Sequence, residues 1–235
     1  DTTLLLSLAH AIKLPRDMAT SQNPLRANVG CGATPTPGWV NLDNSPTVRL
    51  ASIPVIGAIV SNLPIGTQRL RFLREALGKG VRWATATRLP FETASMEVVY
   101  SSHMLEHLAR EDARLFLVEA HRVLRPGGAL RIVVPDLKKL IDQYVESGDA
   151  DGLIDGMLMA PPPRGTFESR LRLGLFGHRG HAWMYDEGSL VAMLRKVGFQ
   201  DVRAVAPGET RIEAPGALNL AERERESLYV EATRG

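Results

Sequence analysis

The stretch ANVGCGATPTPGWVNLD, residues Ala27 to Asp43, decides the fold. An apolar strand, a Gly-x-Gly turn and a second strand ending in an acid form the layout in which open parallel sheets cradle nucleotides at the carboxyl ends of their strands. A dinucleotide site wants Gly-x-Gly-x-x-Gly running directly into a helix, whose N-terminus stabilises pyrophosphate charge, with an acid about 20 residues on. Here Pro35 stands at the third glycine position, Pro37 follows it, and Asp43 arrives eleven residues after Gly32. The phosphate anchor is therefore weak. A ligand with a ribose but no phosphate asks only for close backbone approach at the glycines and a carboxylate that accepts from the ribose hydroxyls.

Outward from this stretch, strands and helices alternate. LRANVG and WVNLD read as the first two strands, VRWATA as a third and MEVVYSS as a fourth, nearly continuous in apolar residues as a buried parallel strand should be. The next helix has Glu111 and Asp112 in its first turn, Arg122 and Arg125 in its last, and Pro126-Gly127-Gly128 as a stop, charges that agree with the helix dipole. ALRIVVPD reads as a fifth strand and LKKLIDQYV as a helix. Asp186 caps a helix that Gly198 closes, VRAV makes a sixth strand and SLYVEAT the last. Residues 1–22 read as an N-terminal amphipathic helix, and Thr67 to Leu77 has helical spacing at Leu70, Leu73 and Leu77. Two insertions, 46–80 and 148–182, interrupt the alternation; the second, with Pro161-Pro162-Pro163, reads as irregular and as a substrate lid. This pattern predicts an α/β fold, a doubly wound, mostly parallel sheet in a single domain over residues 1–235. The last strand, reached without a helix, should be antiparallel.

Composition narrows the function classes. The 235 residues are 44% hydrophobic, enough for a real core, and the formal charge of +2 is spread without the basic stripe of a nucleic-acid binder. The single cysteine, Cys31, excludes an intramolecular disulfide framework and a cysteine-cluster zinc site, and is compatible with a reducing, cytoplasmic setting. The apolar run Leu50 to Leu63 is broken by Pro54 and Gly57 and is shorter than the roughly 20 residues of a membrane span. It is expected to form an extra helix or pair of turns that buries its face on the sheet or in a homodimer, the alternative being contact with a lipid-like acceptor.

The motifs NVGCG, GWVNLD, LPF, SSHMLEHL, RVLRPGGALRIVVPDL and HAWMYDEGSLVAMLRKVGF follow in order from about Leu25 to Phe199. With them the sequence resembles the class I S-adenosylmethionine-dependent methyltransferases, and in particular the bacterial type 11-like branch often associated with glycan or natural-product pathways. The resemblance implies a Rossmann-like sheet of seven strands with a reversed last strand, and S-adenosylmethionine as cofactor, leaving as S-adenosylhomocysteine. It places Asn28, Gly30 and Gly32 against the methionine part with Cys31 packed beside them, Asp43 on the ribose, Thr85 and Ala86 along the adenine, and Ser102 and His103 entering the site. Many relatives carry Asp where this chain has Thr85. A hydroxyl accepts a weaker, neutral hydrogen bond from the adenine amino group, so looser cofactor binding is expected.

Methyl transfer from a sulfonium is an in-line displacement, accelerated largely by alignment. A base is needed when the acceptor must lose a proton, as a hydroxyl does, and histidine is the usual residue. His103 is the first candidate for base or substrate-orienting residue. His103, Glu106 and His107 form His-x-x-Glu-His, a spacing that could hold a metal. No metal is expected there; Glu106 and His107 are expected to bond nearby backbone and shape the loop. In GHRGHAWMYD, His178 and His181 are further candidates for the base or for acceptor contact. Tyr185 is a candidate acceptor contact, Trp183 either faces an acceptor with these residues or packs in the core, and Asp186 is expected as a helix cap. Asp136 is either a substrate contact or the cap of the following helix. Aromatic rings beside polar groups suit a sugar face, so the expected reaction is O-methylation of a small-molecule or glycan acceptor. The alternatives are N- or C-methylation of another small molecule and a cofactor-binding protein without turnover. A nicotinamide dehydrogenase is disfavoured by Pro35 and the missing helix.

Overall fold

The computed structural model describes residues 25–51, 80–159 and 180–235. The helices expected over 1–22 and Thr67–Leu77, the triple proline and His178 lie outside the described residues.

Seven strands form one sheet: β1 (Arg26–Val29), β2 (Val40–Asp43), β3 (Arg82–Trp83), β4 (Met96–Ser102), β5 (Leu124–Pro135), β6 (Phe199–Val205) and β7 (Ser227–Arg234), in spatial order β3-β2-β1-β4-β5-β7-β6. The chain starts in the middle, works outward to β3, then returns to β4 on the other side of β1. The order therefore reverses between β1 and β4, and the crevice at their carboxyl ends is where such sheets take ligands. β7 runs antiparallel to both β5 and β6, as its helix-free connection requires. β3 is shorter than expected, because the chain leaves the sheet at Ala84 and turns back in a bridge between Thr85 and Arg88.

Five α-helices are described, α1 (Pro46–Ala51), α2 (Arg110–Val123), α3 (Leu137–Ser147), α4 (Ala150–Met157) and α5 (Glu187–Val197), with a 3-10 turn at Leu105–His107. α2 ends at Val123, so Arg125 lies in β5 and pairs with Glu97 instead of the helix dipole. Gly128 is required there by close approach: a Cβ would lie 2.8 Å from the Arg125 carbonyl oxygen and 3.1 Å from that of Glu97. The irregular reading from residue 148 is corrected at its start, where Asp149 caps α4 by accepting from the Gly152 N–H at 2.9 Å. α5 opens with a capping box between Asp186 and Ser189 and closes on Gly198 at φ +113°.

On one face of the sheet Val29, Val99, Ile132, Val134 and Val230 pack with Phe116 and Leu117 of α2 and Leu194 of α5. On the other, Val98, Tyr100, Val133 and Tyr229 meet Ile212 and Leu218 from the long β6–β7 connection. That connection is tied down by a buried ion pair, Arg131 to Glu231 at 2.6 Å, between opposite residues of β5 and β7. Arg131 also donates to the carbonyls of Glu209 and Leu220, and Glu231 accepts from the Thr210 hydroxyl and the Arg211 N–H. Both charges are thus hydrogen-bonded as well as paired. The β6–β7 connection then runs on past the carboxyl end of β4.

Candidate active site

The glycine turn after β1 is closed on itself. The N–H groups of Gly30 and Cys31 both donate to the Leu42 carbonyl, at 2.8 and 3.0 Å. Gly30 sits at φ +73°, and a Cβ there would fall 2.3 Å from Cγ of Met104, so the loops after β1 and β4 touch at this point. Gly32 sits at φ +48°, and a Cβ on it would meet no atom within 4 Å. Its N–H donates to Asp43 Oδ2 at 3.1 Å, while Oδ1 accepts from the Ser45 N–H at 2.8 Å. A carboxylate has about four acceptor sites, so roughly two remain, as many as a ribose diol needs.

The other cofactor candidates fall around this turn with different roles. Asn28 is buried behind it and donates to the Thr34 carbonyl at 3.2 Å and to Thr36 Oγ1 at 3.1 Å, which makes it a buttress. Cys31 packs with Val48 and Val81; burial, then the Asp43 charge, push its thiol up to about 12, so it is inert at neutral pH. Thr85 pairs its hydroxyl with that of Thr87 at 3.1 Å, Ala86 is buried, and the turn they form is joined to Asp43 through the Ala84 N–H at 3.2 Å. Ser102 ends β4.

His103 follows in the left-handed region, φ +47°, with its N–H donating to the Val133 carbonyl at 2.9 Å. Its Nε2 lies 2.9 Å from Ser227 Oγ, and Arg223 donates to its Nδ1 at 3.0 Å. A guanidinium only donates, so Nδ1 carries the lone pair and Nε2 the proton. Ser227 accepts that proton and donates onward to the Glu222 carbonyl at 3.1 Å. One carboxylate oxygen of Glu106 stands 3.3 Å from Nδ1.

Glu106 is fully buried, and neither carboxylate oxygen accepts a hydrogen bond. That corrects part of the sequence expectation: the contact of Glu106 with the loop runs through its backbone carbonyl, which accepts from Ala182 and Trp183 at 2.7 and 3.1 Å. His107 does bond backbone, Nδ1 to the Gly180 carbonyl at 3.1 Å, and stands edge-on to His181 with ring centroids 5.1 Å apart. His181 is 6% exposed, with Nδ1 3.3 Å from Met184 Sδ. Burial pushes its imidazole below the usual histidine range, against the pull of Glu106.

Tyr185 is fully buried in the main core, its backbone pinned at the end of β5 by the Leu137 N–H at 2.9 Å, so it offers no surface to an acceptor. Burial pushes its hydroxyl up to about 12. Trp183, with a core place and an acceptor-facing place both open from the sequence, is 41% exposed and lies under the Arg110 guanidinium, 4.6 Å from its ring centroid. Asp136 caps α3, accepting from the Lys138 N–H at 3.0 Å, and Asp186 caps α5. The arrangement thus joins Gly30, Gly32, Asp43, Ser102 and His103 at one sheet end, with Glu106, His107 and His181 beside them. Arg223 and Ser227 were missed: they come from 120 and 124 residues away, and ERERES carries no local signal beyond a solvated turn.

Residues 45–132 match the sequence profile of a family described as "Methyltransferase domain". An uncharacterised 37.1 kDa protein in transposon TN4556 of Streptomyces fradiae is 31% identical over 117 residues, a match that takes in 50% of this chain and 32% of that relative. The match thus spans about a third of the relative's length. Solved structures of similar shape include SAM-dependent methyltransferases of Thermotoga maritima (14% identity, 93% of this chain and 85% of that one, TM-score 0.49) and Methanosarcina mazei (15% identity, 94% and 97%, TM-score 0.49). Among the described residues no helix is long and apolar enough to cross a membrane. The matched residues hold β3, β4 and most of β5 of a sheet ordered β3-β2-β1-β4-β5-β7-β6, whose reversed β7 gives the Rossmann-like arrangement of seven strands expected from the sequence.

Proposed function

We propose that this chain transfers a methyl group to a hydroxyl of a small-molecule or glycan acceptor. S-adenosylmethionine supplies, when bound, a methyl already activated on a sulfonium, so the protein's work is alignment and removal of the acceptor proton. The turn at Gly30 and Gly32 would receive the methionine part, Asp43 the ribose through its two unused acceptor sites, and the loop at Thr85 and Ala86 the adenine.

The placement of His103 carries the hydroxyl reading. Its Nε2 proton is spent on Ser227, so the Nδ1 lone pair is the atom that takes the acceptor's proton. The buried Glu106 carboxylate, 3.3 Å from Nδ1, stabilises the imidazolium that forms. Arg223, whose side chain is 45% exposed, covers that lone pair and would yield it to the acceptor. The exposed ring of Trp183 supports a sugar or another flat-faced acceptor.

Calorimetry with S-adenosylhomocysteine and with NAD, followed by incubation of labelled S-adenosylmethionine with sugar, phenol and amine acceptors, tests the reading. Binding of S-adenosylhomocysteine and label transfer to a hydroxyl are expected. Binding of NAD alone overturns the methyltransferase reading, and label on amines only overturns the hydroxyl.

A further inference from the structure

We propose that Glu106, His107 and His181 form a binding site for a divalent metal ion of the zinc class. The starting point is the Glu106 carboxylate, 0% exposed with both oxygens lacking a hydrogen-bond partner. A buried ionised carboxylate in that state is costly unless a cation or donors face it. The guanidinium of Arg223 does not fill that role, since it bonds His103 and Glu226. His103 faces only Oε1, with a nitrogen whose lone pair Arg223 already holds.

What does face Glu106 is a pair of imidazoles set up as ligands. One ligand-capable atom from each of Glu106, His107 and His181 lies within 4.8 Å of the others. His107 can donate Nδ1–H to the Gly180 carbonyl at 3.1 Å, which leaves the lone pair on Nε2. This is the second-sphere bond that commonly orients a metal-bound histidine. His181, whose ring also bonds the Met157 backbone and has its Nδ1 3.3 Å from Met184 Sδ, keeps one nitrogen lone pair in its neutral form. Two imidazoles and one carboxylate are a set that zinc and its neighbours take, with a fourth position left open. Ligand atoms about 2.0–2.2 Å from a tetrahedral ion stand roughly 3.4 Å apart. Only a small closure is needed, and the exposed ring of His107 can supply it. The site adjoins the proposed acceptor pocket, yet it requires only the folded chain.

The chelator-treated protein is titrated with Zn2+ in a calorimeter and with Co2+ while its visible bands are followed, for the parent, Glu106→Gln and His107→Ala, with circular dichroism to confirm folding. The expected result is a saturable site in the parent, a stabilising shift in Tm on adding metal, and affinity at least tenfold weaker in both variants. His107 is exposed, so H107A keeps the test available if E106Q fails to fold. Absence of saturation in the parent, or undiminished affinity in a folded variant, overturns the proposal. No turnover is read, so failure here leaves the methyl-transfer reading standing, and failure of methyl transfer leaves the metal site standing.

Discussion

Arg223 donates to Nδ1 of His103 at 3.0 Å, and the two residues are 120 positions apart in the chain. The β6–β7 connection therefore reaches across the end of β4 and sets the imidazole tautomer. If Nδ1 takes the acceptor proton, Arg223 competes with the acceptor for the lone pair. His103→Ala should lower kcat/KM for a hydroxyl acceptor by about 10²–10⁴-fold while S-adenosylhomocysteine affinity stays within a few-fold. Arg223→Ala should lose far less, and should raise turnover where release of Nδ1 limits it. Steady-state kinetics of both variants decide this; equal losses would make Arg223 an acceptor ligand instead of a cover on the base.

Asp43 and Thr85 test the cofactor side with changes of opposite sign. Asp43→Asn keeps one accepting oxygen but loses the charge that the Gly32 and Ser45 N–H groups share and that the proposed ribose contact needs. Hydrogen bonds to charged groups are worth about 1.5–3 kcal/mol, so S-adenosylhomocysteine affinity should fall roughly 10- to 100-fold. Thr85→Asp places a charged acceptor in the turn that follows β3 and should tighten binding. Calorimetry on the two variants gives both answers, and a Thr85→Asp protein that binds more weakly would move the adenine elsewhere.

Gly30 is held by packing as well as by φ. A Cβ at that position meets Met104 Cγ at 2.3 Å with φ +73°, so Gly30→Ala should cost stability through both contact and backbone strain. Met104→Ala in the same chain should recover the contact part only. A double-mutant cycle in urea separates the two: full recovery would mean that the left-handed conformation costs nothing, and no recovery that Met104 was not the obstacle.

The buried pair Arg131 and Glu231 predicts an asymmetry. Arg131→Met leaves Glu231 buried beside Thr210 and the Arg211 N–H without its cation, and should cost about 3–5 kcal/mol. The double change Arg131→Met, Glu231→Leu should recover most of that loss, because neither charge is then stranded. Chemical denaturation of the three proteins measures it. A double variant as unstable as the single one would show that the bonds to the Glu209 and Leu220 carbonyls matter more than the pair.

The parts of the molecule legible in the sequence are those whose physics is local. The turn at Gly30 and Gly32, the place of Asp43 at the end of β2, the Asp186 cap with Gly198, and the strand runs other than β3 each depend on residues a few positions apart, and the backbone follows them. What was not legible depends on distant segments meeting. Arg131 sits in an apolar run where only the opposite residue of β7 explains a charge, and Arg223 meets His103 through the path of the β6–β7 connection. Tyr185 and Trp183 illustrate a third case. Either ring suits a core or a sugar, and the choice was made by the backbone bond from Leu137 to Tyr185 at the end of β5.

His121 gives a prediction about pH with a definite sign. It lies on α2 edge-on to Phe199, 5.0 Å between centroids. Burial, then the nearby Arg234 charge, hold its imidazole below the usual 6.5, against a backbone hydrogen bond at Gly198. Between the folded value and 6.5 the unfolded chain binds more protons at this residue than the folded one, so stability rises with pH across that window and is flat above it. Acidification from neutral pH should therefore begin to destabilise the parent before the carboxylates titrate. His121→Gln removes this contribution. His181, also pushed down by burial, is present in both proteins and cancels in the difference. The difference in unfolding free energy between parent and H121Q, measured by urea denaturation from pH 5 to about 8, should change only below the ordinary histidine value; a difference that is constant with pH would show that His121 titrates alike in the folded and unfolded chain.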